Sequence, residues 1–206
     1  MDAVSLSNRL ESNFNKFLIT ATRVKKVRES DVYLAKRDVD TFYEGIFLKT
    51  VTSFESFVEE LFIGLLYEKY DLPTRKKIQK IAFEDRKTVL NFLLLNGQKK
   101  YLDLLPFDKL KKNYKVFYKD ENPFAVLSSS QKDILNQVFI LRNAIAHNSI
   151  TANKKFKKFL EDNHPALISI KTPSQFLQTL NNPNQTMFEV YLIELNSIAN
   201  SFCNFR

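Results

Sequence analysis

The feature that most constrains this chain is a long apolar run from about Asp38 to Tyr70. Phe42, Ile46, Phe54, Phe57, Val58, Leu61, Phe62, Leu65 and Leu66 recur there at helical spacing, so they line one side of an α-helix. The run closes at Pro73, because proline cannot continue a helix interior. A similar stripe of Leu10, Phe14, Phe17, Ala21, Val24 and Val27 predicts a helix from Leu6 to about Arg28. Residues 74–95 read as one or two shorter helices stopped by Asn96 and Gly97, and another is expected around Phe107–Tyr114. Three glycines in 206 residues leave little material for barrels or flexible linkers and favour long helices.

Two further helices announce their own starts. Ser128 and Gln131 have capping-box spacing, in which each side chain satisfies the other's backbone N–H. They open a helix over about 130–147 that buries Ile134, Leu135, Val138, Leu141 and Ile145. Thr186 and Glu189 repeat the device ahead of Phe188, Tyr191, Leu192, Leu195, Ile198 and Phe202. Between these helices lie Pro165, Pro173 and Pro183, with Ala166–Ile170 expected as a short extended piece. The expected fold is all-α, an up-and-down helical bundle with loop and short-element insertions, in one domain spanning 1–206.

The net charge of +8 calls for an anionic partner, nucleic acid first and an acidic membrane surface second. The single cysteine, Cys203, excludes an internal disulfide framework, fits a reducing compartment and reads as core filler. With two histidines and that one cysteine, a zinc site would need carboxylates to complete it, so no metal or other cofactor is expected. The N-terminus lacks the basic-then-apolar order of a signal peptide. The apolar stretches fall short of the roughly 20 residues that span a bilayer. These features predict a cytoplasmic protein with no membrane partner.

The stretch Arg142-Asn143-Ala144-Ile145-Ala146-His147 ends the helix begun at Ser128. One reading is structural, since a histidine near a helix C-terminus complements the helix dipole. The other is chemical. Arginine stays charged and can fork onto two phosphate oxygens, while histidine titrates near neutrality and can move a proton. Arg142 falls beside the apolar stripe, Asn143 and His147 share a different face, and Ala144 and Ala146 allow another backbone to approach. That arrangement predicts a polar seam between helices.

The motif resembles the signature of the HEPN superfamily (higher eukaryotes and prokaryotes nucleotide-binding domains): arginine, a polar residue, a short spacer, then histidine. Thr52–Phe62, "TSFESFVEELF", is similar to the second helix of prokaryotic members. The "KKFKKFL" and "ISIKTPSQFLQTL" segments resemble the basic loop and short helix that follow the motif. The resemblance covers roughly residues 40–205. It implies an all-α fold, a homodimer through the motif helices and metal-independent endoribonuclease activity in a toxin or antiphage defence effector. An antitoxin or another defence-system subunit is an implied partner. Arg142 and His147 fall at the catalytic pair, Asn143 at the polar position and Glu55 at the acidic position of the second helix. Ser149 stands where members silenced by nucleotide addition carry a tyrosine.

Metal-free RNA cleavage needs a base for the 2′-OH, a cation for the crowded phosphate and an acid for the departing 5′-oxygen. One motif supplies one histidine, so two copies of His147 across a dimer would share the proton transfers. Lys154, Lys155, Lys157 and Lys158 follow the motif closely and are the expected RNA-binding residues. Lys76, Lys77 and Lys80, and Lys109, Lys111, Lys112 and Lys115, form further basic clusters; Tyr114, Phe117 and Tyr118 beside the latter would either stack bases or pack under a loop. His164 is expected on a surface loop. The alternative to an enzyme is a catalytically inactive HEPN module that binds RNA, nucleotide or a partner protein.

Overall fold

The structure, a computed structural model, describes residues 1–30, 34–74, 76–95, 97–100, 102, 104–147 and 149–206. It is all-α: α1 (Val4–Ser30), α2 (Lys36–Leu66), α3 (Arg86–Leu93), α4 (Phe107–Phe117), α5 (Ser129–His147), α6 (Ile150–Asn163), α7 (Pro173–Gln178) and α8 (Met187–Cys203). A small antiparallel ribbon, β1 (Leu180–Asn182) with β2 (Gln185–Thr186), precedes α8. Among the described residues no helix is long and apolar enough to cross a membrane. The chain forms two compact units. One comprises Met1–Glu11, Ser53–Lys132 and Asn196–Arg206, and the other Ser12–Thr52 and Asp133–Leu195.

In the first unit the end of α2 is buried on nearly every side. Phe54, Phe57, Val58, Leu61, Phe62, Ile63, Leu65 and Leu66 are all in the core. A helix C-terminus leaves carbonyls without intrahelical partners, and here water cannot serve them. The Gly64, Leu65 and Leu66 carbonyls each take a donor from beyond the helix, and that of Phe62 takes an added one. Tyr118 Oη donates to the Phe62 carbonyl at 2.6 Å, and Gln79 Nε2 to that of Leu65 at 2.6 Å. The Lys69 and Phe83 amides donate to Gly64 and Leu66 at 2.8 and 3.0 Å. The rings of Phe62, Tyr118, Phe124 and Phe202 pack around this end, with centroids 5.1 to 5.5 Å apart in the contacts that join them.

This capping explains two departures from the sequence expectation. α2 stops at Leu66 rather than Tyr70, because the chain turns back at Glu68 (φ 57°) and lays the Tyr70 ring over Gly64. A Cβ on Gly64 would run into that ring, so the close approach requires glycine. Residues 76–85 are not helical. They are committed to α2 through Gln79 and Phe83, and to α4 through Lys80 N–H to the Phe117 carbonyl (2.8 Å) and Lys119 N–H to that of Ile78 (2.9 Å). Only α3 remains of the expected 74–95 helices, capped by Asp85 accepting from the Thr88 amide at 2.7 Å. Gly97 has φ 92° after it, and Asn96 lies outside the described residues.

Glu60, on the same helix, is half-buried and accepts from Lys69, Arg86 and the Tyr70 hydroxyl (2.9 Å). Burial alone would raise its carboxyl, and these three donors more than reverse the effect, bringing it down to about 2.

In the second unit Phe156, Phe159, Phe176 and Tyr191 form a continuous ring cluster. Tyr191 Oη donates to Gln137 on α5 at 2.9 Å, and Gln178 on α7 donates to Asp40 on α2 at 2.6 Å while accepting from Arg28 on α1. Both expected capping boxes form, with Gln131 N–H to Ser128 Oγ at 3.2 Å and Glu189 N–H to Thr186 Oγ1 at 3.3 Å. Ala166–Ile170 is not an extended piece. Pro165–Leu167 makes a 3-10 turn, and the short ribbon falls at Leu180–Thr186 instead. Cys203 is buried, and burial pushes its thiol up to about 11, as suits core filler.

The caps on α2 carry a test. Gln79→Leu keeps the apolar bulk but leaves the Leu65 carbonyl buried without its donor, which costs about 1–3 kcal/mol. Urea unfolding of the variant should show a lower midpoint with an unchanged m-value, and an unchanged midpoint would contradict the capping role.

Candidate functional site

α5 spans Ser129–His147 and is held in the second unit by Val138, Leu141 and Ala144, all buried, and by the bond from Tyr191. Ile134 and Ile145, expected in this stripe, are only half-buried, and Ala144 takes the inward position at its end. Ala144 is therefore part of the protomer's own core, and of the two alanines only Ala146 is exposed.

Arg142 is half-buried, and Asn143 and His147 are exposed. The Arg142 guanidinium donates through Nη1 to Asn143 Oδ1 at 3.2 Å. At about 100° per residue, Arg142 and His147 lie about 140° apart around the helix, with Ala146 and Asn143 between them. The motif is thus one outward stripe of small and polar residues, with a cation on one flank and an imidazole on the other. A single α5 does not turn both groups toward one point in space.

The lysines after the motif do not form a loop. Ser149 Oγ accepts from the Ala152 amide at 3.2 Å and caps α6. Ala152, Phe156, Phe159 and Leu160 fill that helix's inner face, which leaves Lys154, Lys155, Lys157 and Lys158 on the outer one, all exposed. They are held at one-turn intervals, so a strand along α6 would meet a fixed row of cations. Lys157 also lines a cleft of about 390 Å³ with Glu44, Ala144, Asn153 and Lys171. Lys171 was not singled out in the sequence; its position just before the Thr172 cap of α7 was the available sign. Neither Arg142 nor His147 is among the residues lining that cleft.

Glu55 is half-buried on α2 and belongs to the first unit, whereas Arg142, Asn143, His147 and the α6 lysines belong to the second. Tyr114, Phe117 and Tyr118 are buried, so they serve packing and not base stacking.

His164, expected on a surface loop, joins α6 to the Pro165–Leu167 turn and is half-buried. Its ring lies 4.9 Å from that of Phe176 and 5.3 Å from that of Phe159, and its buried Nε2 has no hydrogen-bond partner. Burial lowers its pKa below 6.5 because the charged form is desolvated. The folded state therefore prefers neutral His164. Its contribution to stability is present above about pH 6.5 and is lost as pH falls below that value. Thermal melts of the protein should show this loss, and His164→Phe, which fills the same aromatic niche, should reduce it. Parallel pH profiles for the two proteins would contradict the assignment.

Comparison with family models, curated proteins and solved structures finds no match to this chain.

Proposed function

We propose that the protein is a metal-independent endoribonuclease of HEPN type, acting as a toxin or antiphage defence effector, with Arg142 and His147 as its catalytic pair. The observation that carries this reading is the outward stripe of α5. It exposes His147 and sets the half-buried Arg142 on the other flank. Arg142 neutralises the crowded phosphate, and Asn143 orients the guanidinium through the bond it already accepts. His147 exchanges the proton of the 2′-OH or of the departing 5′-oxygen.

The flanking geometry supports a dimer. The two groups diverge by about 140° on one helix, so a second α5 lying on the Ala146 stripe brings flanks of the two copies together. Two copies of His147 then supply base and acid from one sequence. The exposed lysines of α6 hold the strand by its phosphates and carry no sequence preference of their own. Exposure of the motif equally supports the second reading, a HEPN module that binds RNA, nucleotide or partner protein without cutting.

Labelled single-stranded RNA incubated in excess EDTA separates the two. Cleavage is expected to persist in EDTA and to fall by at least about 100-fold in His147→Ala and in Arg142→Ala, with circular dichroism unchanged because neither side chain is in the core. Binding without cleavage in the parent protein would favour the module, and unfolding of both variants would return the pair to a structural role.

A further inference from the structure

Lysines that grip phosphates do so without regard to sequence, so any choice among bases has to come from another part of the second unit. The cleft of about 390 Å³ beside α5 brings together groups that can make such a choice. Its volume suits one small molecule or one nucleotide, since ligand pockets run from about 300 to 1,000 Å³. Ala144, Ile145 and Phe156 supply apolar wall, and Glu44, Lys157 and Lys171 supply charge of both signs. Glu44 is half-buried and both lysines are exposed. Among the described residues, none of these three is joined in an ion pair.

The walls are braced from behind. Asp40, one turn before Glu44 on α2, accepts from Gln178 at 2.6 Å, which ties α2 to the end of α7. The Lys171 amide donates to Gln175 Oε1 at 3.4 Å, and Thr172 caps the same helix. Phe156 packs against Phe176 of α7, with ring centroids 6.3 Å apart, and its neighbour Lys157 reaches the cleft from α6. On α5, Ala144 and Ile145 lie within three residues of both Arg142 and His147, a rise of at most about 4.5 Å along the axis.

Charges of both signs in one cleft select a ligand with an anionic end and a donor end. A nucleotide has both, its phosphate suiting the two amines and its base edge the carboxylate. A carboxylate only accepts, and this discriminates among bases. Guanine alone offers two adjacent donors, N1–H and the N2 amine, on its Watson–Crick edge. Adenine and cytosine set an acceptor beside their one donor, and uracil flanks its donor with two acceptors, so each turns a lone pair toward Glu44.

We propose that the cleft is a guanine subsite for the RNA strand, with Glu44 accepting from N1–H and N2 and the adjoining phosphate on Lys157 and Lys171. The choice of a strand over a free nucleotide rests on the ribonuclease reading. Lys157 belongs both to the outer row of α6 and to the cleft, which joins the subsite to the strand's path.

The test uses the full-length protein with His147→Ala, so that the strand survives. Anisotropy compares fluorescein-labelled oligouridine with the same strand carrying one guanosine. The guanosine should raise affinity by about 10-fold, and inosine in its place, which lacks the N2 amine, should lose most of that gain. Glu44→Gln should bind the two strands alike while keeping its affinity for oligouridine, which also reports that it folds. The pair Lys157→Ser and Lys171→Ser should lower the slope of log affinity against log salt by about 1.4. Equal affinity for the two strands, no binding of either, or a guanosine preference that survives Glu44→Gln would overturn the proposal. Capture of free guanosine monophosphate through Glu44, with no preference between strands, would overturn the assignment to RNA. A parent protein that selects guanosine through Glu44 yet never cuts supports the subsite and contradicts only the ribonuclease reading. Cleavage with no guanosine preference contradicts only the subsite.

Discussion

The buried C-terminus of α2 is the constraint that organises the first unit. A helix end normally sheds its unpaired carbonyls into water, and the aromatic cluster of Phe62, Tyr118, Phe124 and Phe202 denies it that option. The Gly64, Leu65 and Leu66 carbonyls are therefore served from outside the helix, by the Lys69 amide, Gln79 and the Phe83 amide, and Tyr118 adds a donor to the carbonyl of Phe62. Each donor fixes a stretch of chain. Tyr118 anchors the end of α4, Gln79 and Phe83 tie the non-helical residues 76–85 to α2, and the turn at Glu68 brings Tyr70 over Gly64. The absence of helix over residues 76–85 is a consequence of serving α2.

That dependence marks the boundary of what could be read from sequence. The elements legible in advance satisfy their own termini. Ser128 with Gln131 and Thr186 with Glu189 cap α5 and α8 by residues three apart, and both form as expected. The apolar periods of α1 and α2 were equally plain because a stripe needs only its own spacing. Residues 76–85 depart from the helical expectation because their partners lie more than ten residues away, which no local period reports. α6 is a different case. Ser149, Ala152, Phe156 and Leu160 spell a cap and a stripe, but four lysines between them drew attention to charge. The partial burial of His164 is not legible locally, because its aromatic surroundings come from α6 and α7 together.

The motif was legible as residues but not as geometry. The spacing of Arg142 and His147 placed them on one helix, and the structure adds which way that helix turns. Ala144 faces inward and Ala146 outward, so the stripe between Arg142 and His147 lies on the outer side of α5. The small, polar surface of Asn143 and Ala146 suits close approach, and the flanking cation and imidazole suit a phosphate gripped across that approach. The exposed α6 lysines lie in the same unit as Arg142 and His147.

A DNA oligonucleotide carrying one ribonucleotide, incubated with the protein in EDTA, tests the chemistry most directly. The strand offers a single 2′-OH, and the proposed mechanism uses that group as its nucleophile. The account predicts one cut, on the 3′ side of the ribonucleotide, leaving a 2′,3′-cyclic phosphate and a 5′-hydroxyl, and no cut in the all-DNA strand. Cleavage at deoxynucleotides, or products with a 5′-phosphate, would contradict it.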